Sequence, residues 1–76
     1  MKTPVKYNEN IRALREDSGY NQTQIAQVLK TTQSYYSEYE RGVRPLPIDH
    51  LITLALFYKV SADYILGLPK NLEWPR

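Results

Sequence analysis

The chain has 76 residues, no cysteine, and a formal net charge of only +2. That length allows one domain whose core buries roughly 60% of the unfolded chain's surface. The lack of cysteine excludes disulfide frameworks, thiolate metal sites and cysteine nucleophiles.

No apolar run approaches the roughly 18 residues of a membrane span. The first residues, MKTPVKYNEN, lack the apolar stretch of a signal peptide. A cytoplasmic location with no membrane partner is therefore expected. In chain order, Asn8 suits the N-cap of a first helix running to about Asp17, with Ile11, Leu14 and Ser18 on one face and Gly19 ending it. A second helix starts at Asn21, where Gln24 completes a capping box, and buries Ile25, Ala26 and Leu29. Thr32 caps a third helix from Gln33 to Arg41 that stops at Gly42. The stretch Val43-Arg44-Pro45-Leu46-Pro47 cannot be helical, although Pro47 suits the first turn of a fourth helix, Ile48 to Tyr58. Ser61 then caps a short fifth helix, Ala62 to Leu66, closed by Gly67. No run alternates with period two for long enough to make a strand, so the fold class is all-α.

The third helix has two unlike faces. At about 100° per residue, Gln33, Ser34, Ser37, Glu38 and Arg41 fall within an arc of roughly 140°. Tyr36 and Tyr39 lie opposite, with Tyr35 and Glu40 at their flanks. An ordinary surface helix would bury the tyrosines and solvate the rest. Solvated faces, however, usually carry Lys, Glu and Ala, whereas Ser, Thr and Tyr are poorer helix formers. Something other than helix propensity selected them.

On the first helix Arg15 projects with Ile11 and Leu14 toward the core, while Arg12 and Glu16 point away. A buried guanidinium needs a partner, and Glu40 is the candidate for a bidentate pair. The alternative is that both groups snorkel to water.

Taken together, Ile11-Arg12-Ala13-Leu14-Arg15-Glu16, Asn21-Gln22-Thr23-Gln24-Ile25-Ala26, Thr31-Thr32-Gln33-Ser34, Tyr39-Glu40-Arg41-Gly42, Leu51-Ile52-Thr53-Leu54-Ala55 and Val60-Ser61-Ala62-Asp63-Tyr64-Ile65-Leu66-Gly67 closely resemble the Cro and lambda-repressor-like helix-turn-helix family. The resemblance spans about residues 8–67, leaving an N-terminal arm over 1–7 and a C-terminal tail over 68–76. It implies a five-helix DNA-binding domain with its helix-turn-helix at the second and third helices. Lys30 stands where the family usually has glycine, so a non-glycine residue has to adopt a positive φ. Thr31 replaces the aliphatic residue usual after that glycine. The family's Arg and Glu match at Arg15 and Glu40, which favours their pairing.

The resemblance further implies that the third helix lies in the major groove of double-stranded DNA while the second spans the backbone. Gln33 and Ser34 match base-reading positions, with Glu38 and Ser37 one turn on. A glutamine amide suits adenine, serine bonds either way, and Glu38 could accept from cytosine N4 or repel phosphates out of register. Gln22, Thr32, Tyr35, Lys30, Arg41 and Arg44 are the expected phosphate contacts.

The fourth helix is apolar on more than one side, with Leu51, Leu54, Ala55 and Tyr58 on one face and Ile52, Leu56 and Phe57 elsewhere. Helix five and the tail with Trp74 could cover the second set, or a second subunit could. The family resemblance favours a homodimer through Ile52, Leu56, Phe57 and Trp74, reading a pseudopalindrome. No metal, cofactor or catalytic site is expected, because the acidic residues are scattered and the lone His50 has no nucleophile placed beside it. The reading is a dimeric transcriptional repressor. Its rival is a protein-interaction module, such as an antitoxin or anti-repressor partner, for which the tyrosines would serve as contacts.

Overall fold

The computed structural model describes residues 7–67. Among them lie α1 (Tyr7–Asp17), α2 (Gln22–Val28), α3 (Gln33–Arg41), α4 (Ile48–Tyr58) and α5 (Ala62–Leu66), with no strand. The all-α expectation holds, with helix boundaries within a residue of those read from the sequence except at the start of α1, which is helical two residues before the expected first position.

Three caps form as expected from side-chain chemistry. Asn21 Oδ1 accepts from the Gln24 backbone N–H and Gln24 Oε1 accepts from the Asn21 N–H, both at 2.8 Å. Thr32 Oγ1 accepts from Tyr35 N–H at 3.1 Å, and Ser61 Oγ accepts from Tyr64 N–H at 3.1 Å. Each satisfies a donor that the first helical turn leaves without a partner.

Asn8 does not cap. It lies inside α1, which is already helical at Tyr7, and its side chain packs on Gly42, where an added Cβ would sit 3.1 Å from Asn8 Nδ2. Pro47 falls one place before the first turn of α4, as its N-cap, with its carbonyl accepting from Leu51 N–H at 2.9 Å. Ser18 is exposed beyond the end of α1 and takes no part in the buried face.

The chain leaves four of its helices by the same turn. A left-handed residue follows the helix, and the next N–H reaches back five places: Tyr20 to Arg15, Thr31 to Ala26, Val43 to Glu38, and Val60 to Ala55. Glycine supplies the positive φ at Gly19 and Gly42, but lysine does so at Lys30 (58°) and Lys59 (59°). The strain expected at Lys30 is present, and Lys59 repeats it.

The core is Ile11, Ile25, Ala26, Leu29, Tyr36, Tyr39, Leu51, Leu54 and Ile65, drawn from all five helices. Its two large fully buried rings, Tyr36 and Tyr39, meet edge to face with centroids 6.2 Å apart. Because both come from α3, that helix is seated by one face while the other stays open. Asn10 Nδ2 donates to the Ile65 carbonyl at 3.0 Å, tying α1 to the end of α5.

Candidate nucleic-acid interface

The turn from Leu29 to Thr32 sets α3 across α2, and the two helices begin with glutamines brought side by side. Gln33 Nε2 donates to Gln22 Oε1 at 2.6 Å. Gln22 Nε2 in turn donates to Glu40 Oε1 at 3.1 Å. Glu40 is buried and receives Arg15 at two points, Nε to Oε2 at 2.7 Å and Nη2 to Oε1 at 3.1 Å. Arg15 also donates through Nη1 to the Tyr20 carbonyl at 3.0 Å. The pair anticipated from the sequence is thus made, with neither group left to snorkel.

Burial pushes the Glu40 carboxyl up, but hydrogen bonds from Arg15 and Gln22 and the nearby Tyr36 hydroxyl outweigh it, so its pKa lies below the usual carboxylate range. The Tyr36 hydroxyl does not itself meet hydrogen-bond geometry. Burial first, then the Glu40 charge, hold that phenol well above its ordinary pKa. Burial likewise pushes Tyr58 up to about 12.

On the open face of α3, Gln33, Ser34 and Arg41 are exposed and Ser37 and Glu38 half-buried. Thr32 and Lys30 are exposed in the turn before it. Ser37 and Arg41 border a half-open cleft of about 270 Å³, together with Arg12, Arg15, Gln22 and Glu40. At the far end, Arg44 Nε donates to Glu38 Oε1 at 2.8 Å while its guanidinium stacks 4.2 Å from the Tyr35 ring centroid. The bond to Glu38 holds Arg44 more firmly protonated than an ordinary arginine. Tyr7 fixes the loop that carries Arg44, its hydroxyl donating to the Arg44 carbonyl at 3.0 Å.

Of the residues singled out from the sequence around the third helix, the structure brings together Gln22 with Gln33, sets Gln22, Ser37 and Arg41 around one cleft, and joins Arg44 to Glu38 and Tyr35. Three of them are engaged differently from expectation: the Gln22 amide is held between Gln33 and Glu40, and Glu38 and Arg44 are paired with each other. Sequence reasoning missed Tyr7 and Asn10 as ties between distant segments. It also missed the chain from Glu40 to Gln33, whose only sequence signal is a glutamine at the first helical position of two successive short helices.

Residues 11–65 match the model of the family described as Helix-turn-helix. The chain belongs to this family. As a helix-turn-helix protein it is 39% identical over 62 residues to an uncharacterized transcriptional regulator, YobD, of Bacillus subtilis strain 168, an overlap that covers 82% of this chain and 55% of that protein. The chain thus spans about half the length of this curated relative. Among solved structures it is similar to a transcriptional regulator from Listeria innocua, with a TM-score of 0.84, 25% identity and coverage of 93% of this chain and 66% of the other. It is also similar to the P22 c2 repressor, solved with a synthetic operator, at a TM-score of 0.73 and 25% identity, covering 84% of this chain and 96% of that one. The helix-turn-helix of this fold is α2 and α3.

His50 is half-buried with its ring 5.7 Å from that of Tyr39. Among the described residues no group of His, Cys, Asp and Glu is arranged to hold a metal ion, and no helix is long and apolar enough to cross a membrane.

Proposed function

We propose that this chain is a sequence-specific DNA-binding transcriptional regulator, a cytoplasmic repressor that binds a pseudopalindromic operator as a homodimer. The observation that carries this reading is the open polar face of α3, whose leading glutamine is held by a hydrogen-bonded chain rooted in a buried ion pair. A solvated surface would not require that support. Placed in the major groove, α3 offers Gln33 and Ser34 to base edges, with Ser37 one turn on and Glu38 paired with Arg44 beside it. Thr32, Tyr35, Lys30, Arg41 and Arg44, in the turn before α3, on its flanks and just beyond it, are the phosphate contacts in this reading, with the remaining Gln22 N–H at the start of α2. The likeness to the P22 c2 repressor, solved on operator DNA, supports the same placement.

Dimerisation is supported by Ile52 and Leu56, which are 52% and 74% exposed on α4. Phe57 contributes less, because its ring packs on Tyr20 and Tyr58 within the same chain. Trp74 lies outside the described residues, as do the tail and residues 1–6 of the arm. Two α3 helices about 34 Å apart would meet successive major grooves on one side of the duplex. The protein-interaction module remains the second reading, but of the tyrosines Tyr35, Tyr36 and Tyr39 on which it rests only Tyr35 is exposed, Tyr36 and Tyr39 being buried in the core.

Selection of bound sites from a random duplex pool, run in parallel for wild type and Gln33→Ala, tests the reading. The expected outcome is a two-fold symmetric motif that loses preference at one position of each half-site in the variant. No enrichment by folded wild-type protein would overturn it in favour of the interaction module.

A further inference from the structure

An amide side chain has a donor end and an acceptor end of the same shape, and unaided it can present either one. Glu40 breaks that symmetry. An ionised carboxylate only accepts, and both of its oxygens are already engaged by Arg15. Gln22, facing Glu40 Oε1 at 3.1 Å, must therefore turn its NH2 inward and its oxygen outward. That oxygen is what meets Gln33, at 2.6 Å, so Gln33 in turn must present its NH2 to Gln22. With one N–H committed, the Gln33 amide has one N–H and its carbonyl oxygen left for a ligand. This donor–acceptor pair matches the N7 acceptor and N6 donor of adenine. Were the chain reversed, Gln33 would spend its oxygen on Gln22 and offer two N–H donors, matching the N7 and O6 acceptors of guanine.

We propose that Glu40, which reaches no DNA itself, is a positioning residue for specificity: through Gln22 it fixes the polarity of the Gln33 amide and makes Gln33 favour adenine over guanine. The inference rests on the reading of Gln33 as a base-reading residue. It places one determinant of sequence preference in the hydrophobic interior, 18 residues from Gln22 in sequence and on the buried flank of α3.

The test uses the full chain in competition binding between duplexes that carry adenine or guanine at the position where Gln33→Ala loses its preference. Gln22→Met removes the link while leaving the Arg15–Glu40 pair intact, so folding, checked by circular dichroism, is preserved. Removing the Gln22 amide from a phosphate weakens both duplexes alike and leaves their ratio unchanged. The adenine-to-guanine ratio is expected to fall about three- to tenfold, the scale of a bidentate interaction that must now order itself, with preferences elsewhere in the site unaltered. In the exchanged double variant Gln22→Glu with Glu40→Gln, an acceptor again faces Gln33, and the ratio is expected to return. A wild-type ratio in Gln22→Met, alongside a Gln33→Ala that does lose its preference, overturns the inference and leaves base reading by Gln33 standing. If Gln33→Ala keeps every preference of the wild type, base reading itself fails and the inference falls with it.

Discussion

Arg15 and Glu40 join the third turn of α1 to the last turn of α3 through two parallel hydrogen bonds, with side chains 13% and 3% exposed. Two such bonds fix an angle as well as a distance, so α1 sets the tilt at which α3 presents its polar face. Glu40→Ala leaves Arg15 without its carboxylate and is expected to destabilise the fold by about 3 kcal/mol, the low end for breaking a buried pair. Replacing both partners, Arg15→Met with Glu40→Leu, should cost clearly less. Urea unfolding of the two variants checks this, and equal losses would show that packing rather than pairing sets the cost.

The same pair has a pH dependence of definite sign. In the folded chain burial raises the Glu40 pKa, the bonds from Arg15 and Gln22 lower it by more, and the net value lies below the ordinary 4.5. The unfolded chain therefore takes up the proton first on acidification, and the stabilisation is fully present above pH 4.5 and lost as pH falls through the folded-state value. Melting temperatures from about pH 6 down to about pH 3 should fall more steeply for wild type than for Glu40→Gln. Parallel curves would mean that Glu40 does not carry this linkage.

Lysine at a left-handed turn is a strained choice. At φ 58° the Cβ of Lys30 crowds the backbone, at a cost of order 1 kcal/mol that glycine avoids. Part of that gain is lost to the greater freedom of glycine in the unfolded chain. Lys30→Gly should therefore raise Tm by a few degrees, roughly what half a kcal/mol gives in a domain of this size, and Gly42→Ala should lower it. Scanning calorimetry on the two variants decides the matter.

The helices and their caps were legible because each is set by neighbours in sequence: Asn21 with Gln24, Thr32 with Tyr35, Ser61 with Tyr64. The buried face of α3 was legible for the same reason, since 3.6-residue periodicity alone separates Tyr36 and Tyr39 from Gln33 and Ser37. Lys59 escaped notice because no glycine or motif marks it, and only the turn's backbone bonds reveal its left-handed conformation. The link from Glu40 through Gln22 to Gln33 escaped for a different reason. Its members stand 18 and 11 residues apart, and their meeting depends on the angle between α2 and α3.

Glu38 bears one charge that opposes DNA, and Arg44 Nε bonds it at 2.8 Å while its guanidinium rests on Tyr35. On the proposed reading, Glu38→Gln releases Arg44 to a phosphate and removes a repulsive charge, so affinity should rise several-fold across all sequences. Arg44→Ala should weaken binding uniformly and reduce the salt slope by about one. Titrations at several salt concentrations measure both. If Glu38→Gln instead relaxes preference at a single base pair, Glu38 reads that base and does not act as a counterweight to Arg44.

Ile48, Ile52 and Leu56 recur every fourth residue along α4 and are 73%, 52% and 74% exposed, forming one apolar stripe. An apolar stripe of this kind marks a contact surface, and the proposed homodimer would place it against its own copy. Because these side chains are exposed in the single chain, a charge there should leave the fold intact. Leu56→Lys and Ile52→Glu are expected to keep wild-type helicity by circular dichroism while sedimenting as monomers at concentrations where wild type is dimeric. Binding to a two-half-site duplex should then drop by at least tenfold, the loss expected when the second half-site is no longer tethered, whereas binding to an isolated half-site should hold. A monomeric wild type, or variants that remain dimeric, would move the subunit contact away from α4.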